Sequence, residues 1–199
     1  MSSSPDRPAA EEPDATLVHR AREGDLTSFE ELVTRHADAL YAVLRRLGLD
    51  DGEAQDVAQD TFVRAWRALP RFEGRSRFFT WLYRIGFNEA QRRLAKRRIA
   101  GRVVSTEERP LDDLAEESPG PAETLERNEL RAALAAGLAE LPTRLRAPVV
   151  LRDVEGLSTR EAASVLDLGE AAFKSRLHRG RMALRRLLSP HLSGAAEFS

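Results

Sequence analysis

Apolar residues recur at spacings of three and four along most of this chain, and nowhere do they alternate with the period of two that a strand needs. An all-α fold follows. The first periodic stretch runs from about Ala15 to Leu47 and breaks near Gly24-Asp25, where Ser28 is placed to cap a second piece that buries Phe29, Leu32, Val33, Leu40 and Leu44. Residues 52–69 form the next helix, with Ala58, Phe62, Ala65 and Leu69 on one stripe and Pro70 closing it. After the loop LPRFEGRS, a third helix is predicted from Ser76 to about Ala100. It buries Phe79, Leu82, Gly86 and Ala90, while Trp81, Arg84, Asn88 and Arg92 line its other face, one per turn.

Periodicity then fails. Val104 to Glu123 holds Pro110, Pro119, Gly120 and Pro121, and no helix continues through Pro119-Gly120-Pro121. Residues 103–123 therefore read as a linker between two domains, 15–102 and 124–188, with tails at 1–14 and 189–199. In the second domain Leu130, Leu134, Leu138 and Leu141 mark a helix stopped by Pro142. Ala147, Val150, Leu151 and Val154 mark another, ended by Gly156. Ser158 and Glu161 form a capping box for a short helix through Ala162, Ala163, Val165 and Leu166, and Asp167 to Gly169 supply a turn. A last helix buries Phe173, Leu177, Gly180, Leu184 and Leu187.

Charge changes what these elements mean. The net charge of −1 is a cancellation, because the chain runs basic, acidic, basic. Residues 84–102 carry seven basic groups and one acid, residues 105–126 eight acids and one base, and residues 170–188 six Lys or Arg against Glu170 alone. The last helix thus has one face that packs and another, built on Lys174, His178, Arg181 and Arg185, that is cationic. Two short helices about a tight turn with a basic second helix make a helix-turn-helix, whose second helix enters the DNA major groove. A solvated charged face is the bland alternative, and the lack of alternating sign weighs against it.

The stripe of Trp81, Arg84, Asn88 and Arg92 mixes an aromatic, two cations and an amide, the combination that holds single-stranded DNA by stacking and phosphate contact. Trp81 taken alone reads rather as a core residue, since large aromatics in small helical domains are usually packed. The loop from Arg71 to Arg77, with Phe72, Gly74 and Ser76, has the make-up of a pocket for an extruded base. The helix over 52–69 shows an outer face of Glu53, Asp56, Gln59, Asp60 and Arg64, which suits a basic protein surface better than DNA.

Composition excludes several classes. The chain has no cysteine, so disulfides and thiolate metal sites are ruled out, and its four histidines are scattered without ligand spacing. No metal and no cofactor is expected. No apolar run approaches the roughly 18 residues that cross a bilayer, and the N-terminal stretch lacks the features of a signal peptide, so the expected place is the cytoplasm without membrane insertion. The 32 % charged content exceeds the roughly 25 % usual for globular domains and suits a helical, soluble chain.

Two stretches carry a family resemblance. Residues 51–98, DGEAQDVAQDTFVRAWRALPRFEGRSRFFTWLYRIGFNEAQRRLAKRR, resemble conserved region 2 of bacterial sigma factors of the extracytoplasmic-function group, and residues 141–186, LPTRLRAPVVLRDVEGLSTREAASVLDLGEAAFKSRLHRGRMALRR, resemble region 4. The resemblance implies two small helical domains, a region 2 bundle and a region 4 helix-turn-helix, joined by a flexible acidic linker. It implies a dissociable specificity subunit of bacterial RNA polymerase, without catalysis of its own, that starts transcription of a stress or envelope regulon. By position, Asp56, Gln59, Asp60, Phe62 and Trp66 would dock on the polymerase core. Phe72, Glu73, Gly74, Arg75, Ser76 and Arg77 would take up a flipped base of the minus-10 element, and Trp81, Arg84, Asn88 and Arg92 would line the path of strand separation. Lys174, Ser175, His178 and Arg179 would read the double-stranded minus-35 element, with Arg176 on phosphate. A separate anti-sigma protein is a further implied partner. The chain departs from the family pattern at Ala171-Ala172-Phe173, where Gly-Thr-Val is common.

Two other classes compete with this reading. A polymerase-independent helix-turn-helix repressor would bind an operator alone with a symmetric footprint. A metal hydrolase on His36, Asp50, Asp51, Glu53 and Asp56 is disfavoured, since acids at a helix start already suit the helix dipole.

Overall fold

The computed structural model describes residues 12–101 and 121–193, and all regular elements among them are helical. Helix α1 (Asp14–Arg22) buries Leu17, Val18 and Ala21 against α2 (Leu26–Arg46). The break between them turns on Gly24, whose φ of +100° lies in the left-handed region that glycine enters without strain. Asp25, not Ser28, caps α2: its carboxylate accepts from the Thr27 N–H at 3.1 Å and from the Ser28 hydroxyl at 2.5 Å. Ser28 lies inside the first turn, so its hydroxyl serves the cap as a donor.

Helix α3 (Asp51–Ala68) starts with a capping box, Asp50 accepting from the Glu53 N–H at 2.8 Å while Glu53 accepts from the Asp50 N–H at 3.3 Å. A 3₁₀ turn over Leu69–Arg71 absorbs Pro70. Helix α4 (Phe78–Gly101) begins two residues later than Ser76 and packs against α2 and α3. Gly86 is what allows that approach. A Cβ there would stand 2.9 Å from Leu40 Cδ1 and 3.4 Å from Thr61 Oγ1.

The second unit consists of α5 (Pro121–Glu140), α6 (Thr143–Val149), a π-helical turn (Val150–Val154), α7 (Thr159–Val165) and α8 (Glu170–Ser193). The expected linker at 103–123 lies outside the described residues up to position 120, and its last three positions form the first turn of α5. Likewise α8 runs on to Ser193. Of the stripe predicted for α5, Leu138 and Leu141 are buried, whereas Leu130 and Leu134 stay exposed. The single helix expected over 147–154 is split. Pro148 has no N–H to give to the preceding turn, and the helix widens to a π turn just after it, leaving Val154 exposed.

Each unit has its core, on Leu32, Leu40, Leu44, Leu69 and Leu82 in one and on Val150, Leu151, Val165, Phe173 and Leu177 in the other. The two join into one apolar cluster, with α4 lying along α7 and α2 meeting the π turn.

Candidate nucleic-acid interface

The helix-turn-helix is built locally. Ser158 accepts from the Glu161 N–H at 3.2 Å while the Glu161 carboxylate accepts from the Ser158 N–H at 3.0 Å, so the predicted capping box starts α7. Asp167, at φ 52°, makes the turn in the left-handed region that aspartate tolerates better than most side chains. Phe173 is fully buried at the start of α8, and Leu177 and Leu184 continue its inner face. Between them Gly180 lets α8 press on α6.

The outer face of α8 is formed by Lys174, Ser175, His178 and Arg179, all exposed. Arg179 donates to Ser175 Oγ at 3.3 Å, whereas Lys174 and His178 make no hydrogen bond or ion pair among the described residues. Arg181 is different. Its guanidinium grips Asp153 of the π turn with both arms, at 2.8 and 2.5 Å, and this raises its affinity for the proton. Arg176 is half-buried and lines a cleft of about 370 Å³ with Phe87 and Gln91 of α4 and with Thr143, Arg144 and Leu166.

The second cationic surface begins at the loop before α4. Phe72 is 8 % exposed, its ring 4.8 Å from Trp81 and 6.5 Å, edge-on, from Phe78. Trp81 is half-buried on this aromatic floor, so it is part core and part surface. Gly74 turns the loop at φ +70° with open space around it, and Glu73 pairs with Arg75. Ser76 is half-buried beside them. Arg77 lies over the Phe79 ring at 4.7 Å. Farther along α4, Arg84 and Asn88 are exposed with no partner among the described residues, and Arg92 is tied to Glu89 at 3.0 Å.

On α3, Asp56, Gln59 and Asp60 are exposed, with Asp56 held by Arg93 at 2.9 Å. Phe62 faces the core at 8 % exposure, where its place on the predicted apolar stripe puts it, and Trp66 stacks on Phe29 at 4.9 Å. These two rings hold α3 on the bundle, and the acids and the amide lie on its exposed face beside Val63 and Arg64.

Three carboxylates organise the site: Asp153 and Glu155, to which the sequence assigns no role, and Glu161, which it marks only as a helix cap. Asp153 fixes Arg181, Glu155 meets Arg46 of α2 at 2.7 Å, and Glu161 meets Arg77 at 2.6 Å. The hydrogen bond from Arg77 holds the Glu161 carboxyl down at about 2. Burial pushes Glu155 up, against the pull of Arg46, and burial raises the neighbouring Tyr83 too.

The description "Sigma-70 region 2" matches residues 32–100, and "Sigma-70, region 4" matches residues 131–184. Over 190 residues the chain is 35 % identical to the RNA polymerase sigma-H factor of Pseudomonas aeruginosa, spanning 93 % of this chain and 98 % of that protein. This is a sigma-70-family sigma factor of the extracytoplasmic-function group. It is also 36 % identical to the RNA polymerase sigma factor CnrH of Cupriavidus metallidurans, over 89 % of this chain and 95 % of that one. The solved structure of CnrH in complex with the cytosolic domain of CnrY aligns with a TM-score of 0.66 at 34 % identity, covering 89 % of this sigma factor and 97 % of CnrH. The RpoE structure from Bartonella quintana, solved with the anti-sigma factor NepR, shares the fold with a TM-score of 0.69 at 24 % identity, over 82 % of this chain and 98 % of RpoE. The region 2 match thus runs from within α2 into α4 and the region 4 match from within α5 into α8, and these relatives lend no support to a free-standing repressor. Among the described residues no helix is long and apolar enough to cross a membrane.

Proposed function

We propose that this sigma factor binds core RNA polymerase through the exposed acidic face of α3, Asp56, Gln59 and Asp60, and directs it to promoters through two DNA surfaces. The outer face of α8, with Lys174, Ser175, His178 and Arg179, reads the double-stranded minus-35 element, and Arg176 holds a phosphate. The loop 72–77 receives an unpaired base of the minus-10 element. Arg84, Asn88 and Arg92 then follow the single strand along α4, beside the half-buried face of Trp81. Opening the duplex unstacks bases at a few kcal/mol per step, which stacking and phosphate contacts on this surface offset without nucleotide hydrolysis.

The observation that carries this reading is the pair of cationic faces, one on each unit, with Arg84, Lys174 and His178 unpartnered among the described residues. A buried structural role would have neutralised them. Like its relatives it acts as a DNA-binding regulator, here working in the cytoplasm on a stress or envelope regulon. A separate anti-sigma protein is its further partner; its relative CnrH was likewise solved in complex with another protein, the cytosolic domain of CnrY. Run-off transcription with core polymerase on genomic promoter fragments is the test. Initiation at a discrete set of promoters is expected; folded protein that directs none overturns the proposal.

A further inference from the structure

The loop proposed to capture a minus-10 base rests on rings that are seated from α1 and α2, where no residue assigned to polymerase or DNA lies. Phe78, 4 % exposed, joins these rings: it is 5.9 Å from Trp81, 6.5 Å from Phe72 and 5.5 Å from the imidazole of His36 on α2. His36 is in turn held from α1. Its Nε2 lies 2.7 Å from Asp14 Oδ2, while the other oxygen of Asp14 accepts from Arg35 at 3.1 Å. A carboxylate only accepts, so Nε2 carries the hydrogen, and Asp14 fixes both the tautomer and the orientation of the ring.

A tie that merely anchored α1 could stand anywhere along it. That helix is already seated by Leu17, Val18 and Ala21, all buried, and by Arg20 on the Ser28 hydroxyl at 2.9 Å. The Asp14–His36 bond stands instead beside the start of α4, and α1 itself touches both the 3₁₀ turn that enters the loop and the helix that leaves it. Trp81 is half-buried, so part of its ring remains for an unpaired base to stack on, and that ring is only as steady as Phe72 and Phe78 against it. A platform already in place favours capture, since ordering it at the moment of binding would consume part of the stacking gain.

We propose that Asp14 and His36 are positioning residues for minus-10 base capture: the Asp14 carboxylate fixes the His36 imidazole, the imidazole seats Phe78, and Phe78 holds Phe72 and Trp81 in the orientation that receives the base. Neither residue need touch DNA. That a base is captured there rests on the function proposed above; the brace itself is measured without DNA.

Three variants separate the brace from a plain anchor of α1. Asp14→Ala removes the acceptor and leaves the imidazole, His36→Gln keeps an N–H for Asp14 and removes the ring, and Asp14→Asn keeps an oxygen that accepts from Nε2. Circular dichroism and a denaturant midpoint report that each folds. The chain has two tryptophans, Trp66 and Trp81, so in a Trp66→Phe background the emission reports Trp81 alone. Asp14→Ala and His36→Gln should shift that emission to the red and raise its quenching by acrylamide, whereas Asp14→Asn should match the unaltered chain.

The second readout keeps Trp66. On a promoter found by run-off transcription, single abasic sites along the non-template minus-10 strand identify the captured base. Its loss should cost the unaltered and Asp14→Asn holoenzymes about tenfold in open complex, the worth of one stacked base, and the Asp14→Ala and His36→Gln holoenzymes about twofold. A plain anchor would lower the amount of open complex and leave that penalty whole. This result, or Trp81 emission unmoved in both Asp14→Ala and His36→Gln, overturns the proposal. Asp14→Asn behaving as Asp14→Ala would assign the effect to the charge beside Arg35 and overturn it equally. If no promoter is found, the proposed function fails, and Trp81 emission still decides the brace.

Discussion

Gly180 of the recognition helix lies against the backbone of Leu145, so close that a Cβ would stand 2.6 Å from the Leu145 carbonyl oxygen. Gly180→Ala removes a helix-weakening residue, a gain of about 1 kcal/mol in open space. Here the clash is with backbone, and overpacking of this kind costs about 1–3 kcal/mol. The variant should melt at lower denaturant than the unaltered chain, with the loss confined to region 4 by hydrogen exchange.

Gly86 poses the same question with a softer neighbour. Its nearest contact is the Leu40 Cδ1 methyl at 2.9 Å, the end of a flexible side chain. Gly86→Ala should therefore cost less than Gly180→Ala, within about 1 kcal/mol of neutral once helix propensity is counted. Denaturant midpoints of the two variants, measured side by side, check the order.

Phe173, the departure from the family pattern, is 0 % exposed in the middle of the helix-turn-helix. Phe173→Ala should destabilise region 4 by about 3–5 kcal/mol, through lost burial and the cavity left behind. The readout is loss of the region 4 unfolding transition together with minus-35 binding.

The contact between the two units should depend on pH through Glu161. Its carboxyl sits at about 2 beside Arg77, against an ordinary 4.5, because Arg77 donates to it. A lowered acid stabilises this contact above its ordinary value, and that contribution is lost as pH falls from about 4.5 towards 2. Glu155 is shifted upward by burial, so its protonation favours the contact, a contribution lost as pH rises through its raised value. The distance between dyes placed at Asp38→Cys and Glu140→Cys, both exposed, should hold or shorten slightly as pH drops towards 4.5 and lengthen below it, at pH values where circular dichroism still shows helix. Glu161→Gln should remove the lengthening.

Charge removal should separate the two DNA surfaces. Arg84→Ala and Lys174→Ala each delete an exposed side chain with no partner among the described residues, so stability should stay within about 0.5 kcal/mol. Each should weaken promoter binding by the holoenzyme and reduce the salt dependence by about one phosphate contact. Arg84→Ala should in addition slow strand opening, read by permanganate reactivity of unpaired thymines.

Much of this was legible in the chain because its signals are local. The capping box at Ser158 and Glu161 spans three residues, and the stripe through Phe62, Ala65 and Leu69 needs only helical spacing. Both surfaced intact. Contacts across the fold have no such signature: Glu161 reads as a cap, and nothing near it announces Arg77, 84 positions earlier. Gly86 looks like a cost to α4 until Leu40 and Thr61 are seen pressing on it. Pro148 is visible, but whether a helix kinks, stops or widens there is decided by what packs around it. The Asp25 cap was missed because Ser28 competes for the same role from inside the turn.

The π turn at Val150–Val154 holds Asp153 on the recognition helix, while Glu155, the residue that ends it, holds Arg46 of the other unit. Two residues apart, they leave this short segment on opposite sides, so it acts as a rivet between α8 and α2, which share no ion pair of their own among the described residues. The first unit is therefore joined to region 4 directly beside the seat of its DNA-reading helix, with α4 and α7 forming the rest of the seam.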